Sequence, residues 1–407
     1  MLFISENVGK IKQMRKIIFM VLTVTVLVFP NKAFPQSSND KLPLPNFDKI
    51  VLPYKMVGDK MVVSLKVNDS TVNFVFDTGG QMIVTADLQK KLQLTPLDSI
   101  KASDATFSGK KYARTQINSL KLGDADVEFK QVKSLVLDQE ASWLKCFDSE
   151  GTLGNEFFNQ FIIELDSKSG TITLFPPTKS VDINLRNMLK FIPNPDNRPI
   201  ISVGLDNGNQ AGVLFDSGAG KLMGLSVLDY QKLLEAEGLQ LVSNGVGSGA
   251  VGVSGYAAQG IKKYRYFVPM MSLGLGKIAN YTGETRFSKQ NLIGCELLKF
   301  GKVTIDYPKG RFYFEPFSQT AMDAGEKKWD FDFSISDKAL RIGGLWGDLV
   351  NEIKLGDEVL KIDGEDAQKT EWCDAVVAGF KQIKDKDSVT LTIKSDDKIK
   401  TIITTKK

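Results

Sequence analysis

The sequence predicts a mainly β chain, in which two duplicated β lobes are followed by a smaller β-rich module. Three observations carry this reading. A motif unit occurs twice at matched spacing, apolar residues alternate with period two through most of the chain, and the pattern changes after residue 318.

The first copy of the unit starts at Val63-Ser64-Leu65-Lys66-Val67. A turn follows, and Val72 to Phe76, ending in the apolar triplet Phe74-Val75-Phe76, then runs into Asp77-Thr78-Gly79-Gly80. The second copy starts at Ile201-Ser202-Val203-Gly204-Leu205. It passes through Asp206-Asn207-Gly208 and Val213-Leu214-Phe215 into Asp216-Ser217-Gly218-Ala219. Alternation predicts a half-buried strand, the polar turn a hairpin, and the apolar triplet a buried strand that delivers an Asp to a tight glycine turn.

Each unit has a matching second part. Thr152-Leu153-Gly154-Asn155-Glu156-Phe157-Phe158 corresponds to Leu292-Ile293-Gly294-Cys295-Glu296-Leu297-Leu298, and Asp166 and Gly170 correspond to Asp306 and Gly310 at identical offsets. From Asp77 to Gly154 is 77 residues, and from Asp216 to Gly294 is 78. A balance this close predicts duplicated lobes at residues 47–182 and 183–318. Short helices are expected at 86–92 and 226–237, where apolar residues recur three or four apart.

Composition narrows the chemistry. The 407 residues carry a net charge of +4 without a basic block beyond the N-terminus, which argues against a nucleic-acid partner. Histidine is absent, so Ser-His and Cys-His nucleophiles and imidazole-based zinc sites are excluded. Cys146, Cys295 and Cys373 lie far apart, so each reads as a separate buried apolar side chain. No metal site and no cofactor are expected.

A lone Asp-(Ser/Thr)-Gly triplet is weak evidence, since chance supplies one in roughly one chain of this size in five or ten. Here two occur, at the same repeat position, each after an apolar strand. Two carboxylates sharing a site cannot easily both ionise, so the pair would hold one proton. The ionised member could take a proton from water while the protonated one polarises a carbonyl. Neither role is assignable to Asp77 or Asp216 alone. Thr78 and Ser217 would hold the loops together, and Gly79 and Gly218 would permit their backbone geometry.

Over about 270 residues these motifs resemble retropepsin-like aspartic proteases, with two lobes in one chain as in pepsins. The resemblance implies that Asp77 and Asp216 face one another as the catalytic dyad, with Leu153-Gly154 and Ile293-Gly294 packed beneath. It also implies a groove for an extended polypeptide substrate, closed by a hairpin flap. Tyr112 and Gly249, the latter in the glycine-rich stretch 245–255, are the flap candidates, and that stretch is expected to be a mobile hairpin tip. Gly80 departs from the family's more usual Ala or Ser, which should loosen its loop.

The module at residues 319–407 contains Leu355-Gly356-Asp357-Glu358-Val359-Leu360-Lys361-Ile362-Asp363-Gly364, which resembles the core of PDZ domains. Strands are expected at 331–335, 340–346, 389–394 and 399–404, and a helix around 372–380. The resemblance implies a C-terminal peptide as ligand. Phe331-Asp332-Phe333 departs from the family's glycine loop by placing a negative charge beside the carboxylate pocket, so a purely docking role stays open.

At the N-terminus, Arg15 and Lys16, the apolar run 17–29, Pro30 and Ala33 predict a signal peptide over residues 1–33, then a linker at 34–46. The protein is expected to be exported to a periplasmic or extracellular space, and to be membrane-anchored if the signal is retained. The reading that results is an exported aspartic endopeptidase. The alternative is a non-catalytic peptide-binding or adaptor protein of the same fold.

Overall fold

The computed structural model describes residues 42–103, 109–123, 127–137, 143–181, 183–248, 260–336, 339–367 and 371–407. The expected signal peptide and nearly all of the expected linker lie outside them. Among the described residues, no helix is long and apolar enough to cross a membrane.

The chain is mainly β, as its alternation predicts. In the strand Lys60–Val67, residues 61, 63, 65 and 67 are buried and alternate with partly or fully exposed neighbours after residue 63. The hairpin to Ser70–Asp77 turns at Asn68 and Asp69, both with positive φ, a conformation that Asn and Asp tolerate better than most residues. The second repeat builds the same unit from Ile200–Gly204 and Gln210–Asp216, turning at Asn207 with φ 54°.

In both repeats the strand bearing the Asp runs parallel to the strand bearing the matching glycine. Phe76 pairs with Leu153 and Asp77 with Gly154, while Phe215 pairs with Ile293 and Asp216 with Gly294. The halves share an antiparallel sheet with three strands from each. Its central contact is Ile162–Asp166 against Gly301–Asp306, with Val303 opposite Leu165. One apolar core runs through both, and Phe76 against Phe158 and Phe215 against Phe312 are buried beneath the two Asp loops. The helices Ala86–Lys91 and Val227–Glu235 lie in the segments expected to be helical. Thr85 and Ser226 cap them by accepting a backbone N–H.

The C-terminal module has the expected strands Phe331–Ser336, Ala339–Trp346, Ser388–Ser395 and Lys398–Thr405, with a helix at Trp372–Ala378. It has its own core around Phe331, Leu340, Val359 and Leu391. It is also bonded to both repeats. Toward the second repeat, Gly245, Val246 and Gly247 pair with Trp346, Leu345 and Gly344. Buried Arg265 reaches Asp330 at 3.1 Å and Glu284 at 3.0 Å, and its guanidinium lies 4.5 Å from the Trp346 ring centre.

Two expectations are corrected here. Residues 245–247 are strand, paired on both sides, rather than part of a mobile tip. Glycine is required at 245, because a Cβ there would fall 2.5 Å from the Leu345 carbonyl oxygen and the Trp346 ring. Second, Cys146 and Cys373 are not separate apolar side chains but a disulfide across 227 residues of sequence, tying the module's helix to the first repeat. Val376 and Val377 of that helix pack on the Val62 and Tyr112 cluster. Cys295 is buried and free, as expected.

Candidate active site

The two Asp loops meet at the junction of the repeats. Thr78 and Ser217 are both fully buried and exchange a closed set of hydrogen bonds. Thr78 N–H donates to Ser217 Oγ at 3.0 Å, and Ser217 N–H to Thr78 Oγ1 at 3.0 Å. Each hydroxyl then donates across the junction, Thr78 Oγ1 to the Phe215 carbonyl at 2.9 Å and Ser217 Oγ to the Phe76 carbonyl at 3.0 Å. Every donor and acceptor of this buried grip is used, so the loops are fixed relative to one another.

The grip brings the two carboxylates together. Asp77 and Asp216 lie close enough for one carboxyl to hydrogen-bond the other when a proton is held between them. The glycines next in each loop touch the opposite carboxylate: a Cβ on Gly79 would lie 2.4 Å from Asp216 Cγ, and one on Gly218 would lie 2.5 Å from Asp77 Cγ. Only glycine permits this approach. Gly154 and Gly294 are needed for a related reason, since a Cβ there would meet backbone at 2.1 Å and 2.3 Å respectively.

Both aspartates keep a partly exposed face. Protein nonetheless surrounds the Asp77 carboxyl so closely that desolvation raises its pKa. The charge and hydrogen bond of Asp216 raise it further, to about 8. The N–H groups of Gly80 and Gly79, donating to Asp77 Oδ1 at 2.7 Å and 3.0 Å, oppose the rise. A pair in this state retains one proton near neutrality. Gly80 does not leave its loop loose: its N–H is held by Asp77, and a Cβ there would fall 2.2 Å from Asp77 Oδ2.

Four residues of this floor are given no site role by the sequence, although all four lie in its matched segments. Glu156 Oε2 accepts the Met82 N–H at 2.9 Å, and Glu296 Oε2 accepts the Leu222 N–H at 2.9 Å, each bracing the chain just past its Asp loop. Burial raises the Glu156 pKa. Asn155 donates to the Asp196 carbonyl at 3.1 Å, and Cys295 donates to the Asp59 carbonyl at 3.2 Å, so each repeat anchors a turn of the other. The signal for the two glutamates is present in the sequence, because both stand two residues after the matched glycines.

Of the flap candidates, Gly249 lies outside the described residues. Tyr112 sits in the strand Gly109–Leu122 opposite Ile100 and is 8% exposed, packed among Val62, Leu135 and Phe147. In the C-terminal module, Asp332 lines a cavity of about 210 Å³ with Trp329, Phe333 and Phe380. Lys263 and Ser248 of the second repeat complete that cavity, so a cation stands beside the acid.

No curated protein sequence matches the chain. Among solved structures, a crystal structure titled edgp is similar at 11% identity and TM-score 0.41, covering 66% of this chain and 95% of that one. A retropepsin-like aspartic protease from Rickettsia conorii is similar at 21% identity and TM-score 0.23, covering 31% and 89%. Residues 63–157 match the aspartyl protease family, and this stretch contains Asp77, its loop, Gly154 and Glu156.

Proposed function

We propose that the chain is an exported aspartic endopeptidase that hydrolyses polypeptides with the Asp77/Asp216 dyad. One observation carries the reading: two partly exposed carboxylates brought together by a closed Thr78/Ser217 grip, an arrangement in which the pair would share a proton. The family match over residues 63–157 supports it. A binding protein of this fold would need neither both carboxylates nor the elevated Asp77 pKa, which favours the enzyme over the adaptor.

In this mechanism the ionised carboxylate takes a proton from water as its oxygen bonds to the scissile carbonyl carbon. The protonated carboxyl gives its proton to the carbonyl oxygen, leaving a neutral tetrahedral diol. Collapse breaks the C–N bond, the leaving nitrogen takes a proton from the dyad, and a diol hydroxyl returns one. The products are a carboxylic acid and an amine, and the dyad again holds one proton. Gly79 and Gly218 keep the carboxylates in reach, and Glu156 and Glu296 hold the backbone behind them.

The C-terminal module resembles a PDZ domain in sequence, and its disulfide and strand pairing support a docking role more than free capture of chain ends. Incubating the mature protein with denatured proteins from acid to neutral pH tests the whole reading. Cleavage blocked by a pepstatin-type transition-state analogue is the expected result, and binding without cleavage at any pH would sink it.

A further inference from the structure

The duplicated repeats provide an internal control, because a residue in one can be compared with its counterpart in the other. In the first repeat Ile83–Thr85 runs parallel to Glu128–Leu137, pairing Ile83 with Leu135 and Thr85 with Leu137. In the second, Met223–Ser226 runs parallel to Gly276–Arg286, pairing Gly224 with Glu284 and Ser226 with Arg286. Thr85 and Ser226 are both helix N-caps, which fixes the correspondence. Arg286 therefore stands where the first repeat has Leu137, and Gly224 where it has Ile83.

Leu137 is a buried apolar residue in the cluster with Ile83 and Tyr112. Its counterpart replaces that apolar contact with a guanidinium, and the second repeat has been reshaped around it. A Cβ on Gly224 would fall 2.4 Å from Arg286 Cδ, so glycine there makes the room. The nearby carboxylate of Glu284 is already engaged by Arg265 at 3.0 Å and Lys263 at 4.0 Å. Arg286 Nη1 is buried and has no hydrogen-bond partner among the described residues.

A buried guanidinium N–H without an acceptor is costly, and Arg presents its donors in a fork that suits a carboxylate. Burial disfavours the charge on Arg286, and Asp216 of the dyad, with Tyr266, favours it. Six residues further on, the chain becomes the floor strand Leu292–Gly294 beneath Asp216. The cation thus lies on the second repeat within electrostatic reach of Asp216, with Leu137 as its uncharged counterpart.

We propose that Arg286 is a specificity-determining residue that receives an acidic side chain, Asp or Glu, of the substrate polypeptide beside the dyad. This rests on the peptidase reading above. One charge-assisted pair at a desolvated site gives discrimination on the order of tenfold or more between Glu and its uncharged isostere Gln.

Matched peptides carrying Glu or Gln at each position around the cleaved bond provide the test. At one position wild type should show a kcat/KM ratio of about tenfold or more for Glu over Gln. In Arg286→Leu, which installs the first repeat's residue, that ratio should fall to about one, and Arg286→Lys should keep part of it. The same peptides are titrated by fluorescence anisotropy into the Asp77→Asn chain, where binding is read without hydrolysis. Acidic preference in binding with no cleavage by wild type would overturn the peptidase reading and leave Arg286 as the acidic-side-chain site of a peptide-binding protein. Cleavage by wild type with no acidic preference at any position would overturn this proposal alone, even if Arg286→Leu fails to fold. A pH profile displaced equally for Glu and Gln peptides would also overturn it, since Arg286 would then act on Asp216 and not on substrate. Neither cleavage nor acidic preference would overturn both.

Discussion

The two Asp loops are built alike and finished differently. Thr78 and Ser217 make equivalent bonds across the junction. The carboxylates they position are not equivalent: Asp77 Oδ1 accepts two backbone N–H groups, from Gly79 and Gly80, while Asp216 Oδ1 accepts one, from Gly218. Around them, Ile83 and Leu137 of the first repeat become Gly224 and Arg286 in the second. The scaffold keeps the symmetry that a shared proton needs, and the flanks abandon it where a directional substrate would be met.

The largest expected effect comes from breaking the symmetric part. Asp77→Asn and Asp216→Asn should each lower kcat by on the order of 10,000-fold or more, and the double variant should be no worse, because the pair acts as one unit. Retained peptide hydrolysis in either single variant removes the assigned dyad. The Asp77 pKa also predicts the sign of a stability change. A carboxyl raised to about 8 holds its proton in the folded state, while the unfolded chain releases it near pH 4. Stability from this group is therefore full below about pH 4 and declines through pH 8. Asp77→Asn removes that decline, so thermal melts at pH 8 should show the variant at or above wild type.

The next comparison is between the module's two attachments. Reducing the protein, or replacing Cys373 by Ser, should cost about 2–4 kcal/mol in denaturant unfolding, since the bridge closes a very long segment. Peptide cleavage should survive, because the strand pairing at 245–247 and the Arg265–Asp330 pair remain. An unchanged unfolding midpoint under reductant would mean that the bridge constrains nothing that strand pairing does not.

Part of this architecture is legible in the sequence, for local reasons. The alternation in 63–67 and 201–205, and the apolar triplets before Asp77 and Asp216, are set by which face of a strand is buried. The same holds for the module's strands, which fall within a residue or two of their expected ends. The disulfide is not legible, because 227 residues separate two cysteines that only the docked helix Trp372–Ala378 brings near the first repeat. Gly245 and Gly247 mislead for a different reason: their glycines read as loop composition, whereas both lie in a paired strand, and at 245 the close approach of Leu345 and Trp346 demands glycine. Arg286 is hidden because its partner in the repeat is recognised only once strand register is known.

The grip allows a sharper test of equivalence. Thr78→Val and Ser217→Ala each strand two backbone groups in the buried junction, at about 1–3 kcal/mol for each group left unsatisfied. The two variants should lose similar stability by urea titration. A difference of more than a few kcal/mol would mean that one loop carries the junction and the other follows.

The smallest expected effect concerns the residue after each triplet, Gly80 in one loop and Ala219 in the other. A Cβ at 80 would lie 2.2 Å from Asp77 Oδ2, so Gly80→Ala must push the carboxylate away from Asp216 or pull the Gly80 N–H from Asp77 Oδ1. Either displacement misplaces a reacting group by a fraction of an ångström, which should lower kcat by about tenfold, or about 1.4 kcal/mol of barrier. Ala219 already carries its Cβ, and its N–H donates to the Asp216 carbonyl at 3.0 Å rather than to the carboxylate. Ala219→Gly should therefore change kcat by less than Gly80→Ala, acting only through backbone freedom. Steady-state kinetics on one peptide decides between them. Equal effects from both substitutions would show that the extra N–H on Asp77 has no part in setting the dyad, and that the two loops differ in structure without differing in function.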